Sequence, residues 1–366
     1  MPVRRGIALA ISSGAPALDI EPKHGETPDA SNSAPQHASA APKVFTAVSD
    51  AEGWKKIHEL ALRQLNRFMS YEAKVLKGDD TEALHDMRVA SRRLQQVLDL
   101  RYAKPRPAEY RKLRRQIRGC RQVLGDVRNC DVLLEHVERA LGRKRSARRE
   151  AWTAVQHYLL GQRSKTFLRA IRKLGKSNLA VFYVNLKDLL HHGKAPVHSP
   201  DHHHQGSAEA VPEFTQQLTQ ALQSVWTAFE AQVDLSHRDT SPTVIHEARI
   251  ATKRLRYLLE VFHEVGVEGS AEALAWLRQL QKHLGDWHDM EVLEQMMIKM
   301  LARPEFLREQ LPLAMAIEKL ILRNRESKAG FEKKYFQMSR ESDEIRRLQT
   351  FIAHLLGSPS AAFDNG

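Results

Sequence analysis

The chain has 366 residues, of which 42% are hydrophobic and 27% charged, so it can form one large or two medium domains and is not disordered throughout. Lys and Arg outnumber Asp and Glu by 56 to 44, and this net charge of +12 favours anionic partners. The absence of any run of about 18 apolar residues excludes a membrane-spanning helix. Cys120 and Cys130 lie about 15 Å apart along a predicted helix, so we expect free thiols and a reducing, cytoplasmic location.

The positive charge is concentrated in one part of the chain. Residues 1–44 contain four basic and four acidic side chains, which cancel. Residues 45–195 contain 33 Lys or Arg against 16 Asp or Glu, whereas residues 196–366 contain 19 against 24. A basic cluster in the second half therefore stands against an acidic background.

Amphipathic periodicity predicts an all-α fold from residue 45 onward. Residues 1–44, rich in Ala, Ser and Pro, are predicted to be a disordered tail, residues 196–211 a linker and residues 358–366 a flexible tail. The remaining residues form a first half, 45–195, and a second half, 212–357. The predicted helices cover residues 46–76, 81–101, 108–141, 146–174, 178–191, 212–233, 243–265, 270–301, 305–338 and 341–356.

Two sequence blocks occur twice in the same order. The block Leu84–Leu94 (LHDMRVASRRL) matches Ile245–Leu255 (IHEARIATKRL) at an offset of 161 residues. The block Leu124–Leu133 (LGDVRNCDVL) matches Leu284–Leu293 (LGDWHDMEVL) at an offset of 160. We interpret the chain as a tandem duplication of a helical unit, which predicts two pseudo-symmetric helical bundles.

The first block of each copy predicts a helix with a cationic face opposite a packing face. On a helical wheel, Arg88 and Arg92 share an arc free of acids. Like charges at i,i+4 repel unless an anion is bound, so an anion-binding face is favoured over a merely solvated one. The histidine that opens each block has a structural alternative, in local capping or packing. The arc contains His85, Arg88, Arg92 and Arg93 in the first copy, and His246, Arg249, Lys253, Arg254 and Arg256 in the second.

Other features predict local structure or further charge. Bases at helical spacing, among them Arg114, Arg118, Arg121, Arg169 and Lys282, extend the cationic surface. The Leu-Gly-Asp blocks predict an interrupted helix that restarts with Asp126 or Asp286 as N-cap. Asp131 and Glu291, five residues on, either orient a basic side chain through an ion pair or hold a divalent ion.

The two repeated blocks together resemble the CHAD family, the conserved-histidine α-helical domain. The resemblance lies in the pattern His-x-x-Arg-x-x-x-[Arg/Lys]-Arg-Leu followed by Leu-Gly-Asp-x-[Arg/His]-x-x-[Asp/Glu]-Val, and covers roughly residues 50–356. It implies two helical bundles around a basic central channel, and binding of inorganic polyphosphate, in some members at polyphosphate granules. The bases and histidines of the first block would line the channel, and Arg128 and His288 match the arginine of the second.

The chain departs from the family pattern in two respects. The family's Arg-Asp pair is Arg128-Asn129 in the first copy and His288-Asp289 in the second. The triphosphate-tunnel domain that often precedes CHAD is not expected in the residues before 45, so the resemblance implies a stand-alone binding module.

Three functions are consistent with the sequence. The first is non-catalytic binding of polyphosphate. This function involves no metal, cofactor, membrane or specific nucleic acid, and the sequence does not determine the oligomeric state. The second is nucleic-acid binding by the same face, and the third is a metal-dependent phosphohydrolase using His85-Asp86 or His288-Asp289 with Asp131. The predicted polyphosphate-binding residues are His85, Arg88, Arg92, Arg93, Arg114, Arg118, Arg121, Arg128, Arg169, His246, Arg249, Lys253, Arg254, Arg256, Lys282 and His288.

Overall fold

A computed structural model describes residues 49–78, 80–102, 105–142, 148–192 and 213–357. In these residues the regular elements are helices and no strand occurs, which confirms the predicted all-α fold. The predicted tails and linker lie outside the described residues, and the division into two halves stays a prediction from the sequence. No helix in the described segments combines the length and the apolar character needed to cross a bilayer.

The described part of the first half contains six helices. Ser49 and Asp80 cap two of them, because their side chains accept hydrogen bonds from the backbone N–H groups of Glu52 and Ala83. The predicted helix 46–76 is divided at Tyr71. The helices are α1 (Asp50–Ser70), α2 (Glu72–Lys77), α3 (Thr81–Arg101), α4 (Ala108–Leu141), α5 (Arg149–Lys176) and α6 (Leu179–His192).

The described part of the second half contains six α-helices and one π-helical turn, Gln337–Glu341. The predicted helix 305–338 is divided, because Pro312 lies in the first turn of the later helix, where its missing N–H costs nothing. The α-helices are α7 (Glu213–Arg238), α8 (Pro242–Val265), α9 (Ser270–Leu301), α10 (Pro304–Glu309), α11 (Leu311–Phe336) and α12 (Asp343–Leu355).

The predicted interruption at the Leu-Gly-Asp blocks is wrong. Helix α4 continues through Gly125 and α9 through Gly285, so Asp126 and Asp286 are exposed positions within a helix and not N-caps. One glycine costs a helix about 1 kcal/mol relative to alanine. The completely buried neighbours of Gly125, such as Leu124, hold the helix in place through packing.

The hydrophobic packing joins helices from both halves. Helices α1, α3, α4 and α5 pack in succession, as do α7, α8, α9 and α11, while α3 contacts α8, α4 contacts α9 and α5 contacts α11. The larger core extends from Ile57 to Leu355 and the smaller one combines α4 and α5 with α9 and α11. Cys120 and Cys130 are buried free thiols, as predicted. The contact between α3 and α8 brings the two histidine-containing blocks together.

Candidate functional site

Five basic side chains from α3, α4 and α8 form a group that we call the basic cluster: Arg88, Arg92, Arg121, Arg249 and Lys253. Burial is the largest cause that lowers the pKa of Arg88, to about 9, and of Arg121 and Arg249, to about 10. Burial also lowers the pKa of Lys253 well below its ordinary value. The charge of Arg92 lowers each of these four pKa values further, which places the five bases within electrostatic reach of one another.

The central members of the cluster form no salt bridge with any described residue. Among the described residues, no carboxylate oxygen lies within 4.0 Å of the side-chain nitrogens of Arg88, Arg249 or Lys253. The buried Nε atoms of Arg88 and Arg249 also lack a hydrogen-bond partner within the described part of the chain. Because buried charge and buried unpaired donors both cost free energy, a bound anion would relieve both penalties.

Tyr257 links the cluster to a neighbouring ion-pair network. The Arg92 Nη1 atom lies 3.5 Å from the Tyr257 hydroxyl, and the Arg256 guanidinium lies 4.4 Å from the centre of the tyrosine ring. Burial raises the pKa of Tyr257, but the charges of Arg92 and Arg256 outweigh it and the pKa is lowered overall. The repeated blocks did not predict this role, because the matching position in the first copy is Gln96.

Two histidines of the second half face each other beside the cluster. The Nδ1 atoms of His246 and His288 are 3.3 Å apart. Burial, followed by the charge of Arg249, lowers the pKa of His246 and lowers that of His288 to about 3, so both imidazoles are neutral near pH 7. In the first half, burial and then the charge of Arg128 lower the pKa of His85. All three imidazoles are therefore uncharged, and the hydrogen bond between the two Nδ1 atoms uses the single N–H of either His246 or His288.

Asp289, which the sequence suggested only for the hydrolase alternative, is an acid inside this basic surrounding. Burial raises its pKa to about 6, although Arg249, Lys253 and Arg128 oppose the shift. The matching position in the first copy is Asn129. The second half thus contributes a titratable carboxyl group where the first half has a neutral amide.

Several predicted site residues are held by acids instead. Glu260 accepts two hydrogen bonds from Arg93, at 2.9 and 3.2 Å, and one from Arg256 at 2.8 Å. At the matching position of the first copy, Asp99 accepts from Arg114 Nε at 2.8 Å. Arg128 has a more exposed partner, Glu135, at 3.0 Å. These four arginines form ion pairs, whereas Arg88, Arg249 and Lys253 form none with the described residues.

The remaining predicted residues lie on the surface. Arg118, Arg169, Arg254 and Lys282 are exposed. Lys282 lies outside the basic cluster. It lines a separate cavity of about 380 Å³ together with Trp276 and Asp286.

The acids of the second block form ion pairs. Asp131 accepts from Arg163 Nε at 2.5 Å, and Glu291 pairs with the buried Lys328, which also contacts Glu294 at 2.7 Å. Among the described residues, no group of three or more His, Cys, Asp or Glu side chains is arranged to hold a metal ion. Of the two interpretations of these acids, the structure therefore favours orientation of a basic side chain.

Comparison with known proteins assigns the chain to a family. The CHAD domain model matches residues 59–297. A crystal structure of the CHAD domain from the plant Ricinus communis is similar, with a TM-score of 0.54 and 23% identity, over 87% of this chain and 96% of that one. PptA from Streptomyces chartreusis is similar with a TM-score of 0.54 and 14% identity, over 79% of this chain and 99% of that one. No curated protein matches the sequence. Since the family model covers more than half of the chain, the protein belongs to the CHAD domain family.

Proposed function

We propose that the protein binds inorganic polyphosphate at the basic cluster without chemical conversion. The observation that carries the proposal is the set of buried bases without a salt bridge to any described residue, Arg88, Arg249 and Lys253. A polyphosphate chain carries about one charge per unit and little chemical variety, so many Arg and Lys contacts are sufficient for recognition. Arginine suits this ligand because its planar guanidinium can donate to two phosphate oxygens at once.

Both halves contribute to the proposed site. Arg88, Arg92 and Arg121 come from the first half, and Arg249 and Lys253 from the second. The neutral pair of His246 and His288 leaves one N–H free to donate, and either imidazole gains a positive charge if a bound anion raises its pKa. By the family resemblance, this surface is part of a basic channel between the two bundles, and the protein works in the cytoplasm at polyphosphate granules.

The hydrolase alternative has less support. Its acids already have partners: Asp131 accepts from Arg163, and Asp86 accepts from the Tyr71 hydroxyl at 2.8 Å. A two-metal hydrolase needs several free carboxylates close together. Asp289 is the one carboxyl group that burial and basic neighbours place next to the cluster among the described residues.

Isothermal titration calorimetry with long-chain polyphosphate at several salt concentrations tests the proposal. DNA of equal charge concentration is titrated alongside, and free phosphate is assayed after each titration. We expect the logarithm of the binding constant to fall linearly with the logarithm of the salt concentration. DNA should bind more weakly, and no phosphate should be released.

Two results would overturn the proposal. Equal affinity for DNA would favour the nucleic-acid function. Steady phosphate release that depends on a divalent ion and is lost in Asp131→Ala would favour the hydrolase.

A further inference from the structure

The outer faces of α4 and α5 carry a second group of bases. Residues 111–122 contain six Lys or Arg and no acid, and so do residues 161–176. Most of these side chains are exposed, and the exposed ones form no ion pair with any described residue. We call the following exposed bases the outer tract: Arg115, Arg118, Arg169, Arg172, Lys173 and Lys176.

The bases of the two helices lie side by side. Arg163 on α5 contacts Asp131 on α4 at 2.5 Å, and the Gln116 side chain on α4 donates to the Ser177 carbonyl at 3.5 Å. These contacts define an antiparallel pair, in which residues near 118 on α4 lie level with residues near 175 on α5. A Cβ atom at Gly119 would be 4.0 Å from the Lys173 side chain, so the lysine lies across the glycine. The six bases therefore form one surface.

This surface is continuous with the basic cluster. Arg118, Arg121 and Gly125 follow i, i+3 and i+7 spacing, so they lie on one face of α4. At one end of this face, a Cβ atom at Gly125 would be 3.5 Å from Arg88 Nη2. At the other end, the charge of Arg118 acts on Arg121, whose pKa burial and Arg92 also lower. A band of positive charge thus runs from Arg88 to Arg118 and onto α5.

The described part of the second half has no equivalent band. Helix α11 also contains six Lys or Arg, but Glu318, Glu326 and Glu332 are interspersed among them. Two of its bases, Arg325 and Lys328, already pair with Glu294. The band of unpaired charge therefore leaves the basic cluster on the side of the first half.

We propose that a polyphosphate chain held at the basic cluster continues along the outer tract, so that the protein selects long chains over short ones. The inference rests on the proposed function and adds the length class of the ligand. A short polyphosphate chain contacts only the bases of the basic cluster. A long chain gains several exposed ion contacts, each weak because solvent screens it, but additive along the polymer.

The test compares tripolyphosphate with long-chain polyphosphate on three proteins by calorimetry. The tract variant carries Arg115→Gln, Arg172→Gln, Lys173→Gln and Lys176→Gln. The control variant carries Arg308→Gln, Lys319→Gln, Arg323→Gln and Lys333→Gln, which removes the same charge from exposed positions on α10 and α11. Circular dichroism confirms that each variant keeps its helix content.

We expect the tract variant to lose about 30-fold in affinity for the long chain and to keep its affinity for tripolyphosphate. The control variant should lose about threefold or less for either ligand. Equal long-chain losses in both variants would show that only net charge matters and would overturn the inference. Failure of the wild type to bind either ligand would instead overturn the proposed function.

Discussion

Matching positions of the two halves have the same role in some places and different roles in others. Arg88 and Arg249 match, and each brings to the basic cluster a buried guanidinium without a salt bridge to any described residue. Asp99 and Glu260 also match, but Asp99 holds arginines of its own half, whereas Glu260 holds Arg93 of the other half.

Where the copies differ, the second half is the more varied chemically. Arg128, Asn129 and Gln96 of the first copy correspond to His288, Asp289 and Tyr257 of the second. These substitutions replace a permanent charge and two amides with three titratable groups near the cluster. The comparison indicates that the first half supplies most of the positive charge, and the second half supplies groups that respond to pH and to a bound anion.

The largest effect is expected from reversing the matching arginines. The double variant Arg88→Glu with Arg249→Glu should lose more than about 1000-fold in affinity for long-chain polyphosphate. Helicity should be unchanged and the melting temperature equal or higher, because the variant removes repulsion among buried bases. Calorimetry and thermal denaturation by circular dichroism measure the two effects.

Arg308→Glu with Arg323→Glu is the matched control for this charge reversal, since both positions are exposed and lie outside the cluster. If the cluster variant unfolds while the control does not, the charged face is structural and the comparison between the halves fails.

The next largest effect concerns the acids at matching positions. Glu260→Gln should lower the free energy of unfolding by about 2 kcal/mol, because Arg93 and Arg256 both lose their partner in a half-buried environment. Hydrogen exchange should increase in α3 and α8 together. Asp99→Asn should increase exchange in α3 and α4 and leave α8 protected, since Asp99 pairs within the first half.

A smaller effect is expected from pH. At pH 7 the carboxyl group of Asp289, whose pKa burial raises to about 6, is ionised and repels a polyanion. Acidification to about pH 5 neutralises it, so affinity should rise by up to about tenfold. Arg249, Lys253, Arg128 and Asp286 act on this group. His288, whose pKa is lowered to about 3, stays neutral over this range, and any proton that His246 takes up changes the affinity in the same direction.

Asp289→Asn should raise the affinity at pH 7 and flatten its pH dependence. The same pKa shift determines how Asp289 affects the free energy of unfolding. Because the folded pKa of Asp289 exceeds its unfolded value, the stabilising contribution is complete below about pH 4 and is lost as the pH rises through about 6. An affinity that falls on acidification would contradict the assigned role of Asp289.

The helices and the repeated cationic face could be predicted from the sequence because they depend on local patterns. Helix α9 begins and ends at the predicted residues, and α3 does so as well. Arg88, Arg92 and Arg249 were selected from helical spacing alone, and the structure brings them together.

The counter-charges could not be predicted in the same way. Arg93 lies 167 residues from Glu260, so only the fold reveals that pair. The role of Tyr257 could not be predicted because the matching residue, Gln96, has no phenol. The sequence suggested Asp289 only for the hydrolase alternative, because its burial among the bases depends on the fold. Arg256 is an exception, because Glu260 follows it at i,i+4 spacing, which is typical of an ion pair within a helix. This spacing indicates that Arg256 forms an ion pair and does not belong to the anion-binding face.

The most direct test of the central claim, that the two halves build one shared anion site, is the number of tripolyphosphate ions bound per chain. Calorimetry on the wild type, Arg88→Gln and Arg249→Gln supplies this number. We expect one ion per chain in the wild type and the loss of that ion in either single variant. Two ions in the wild type, with one retained in each variant, would show that each half binds on its own and would contradict the account.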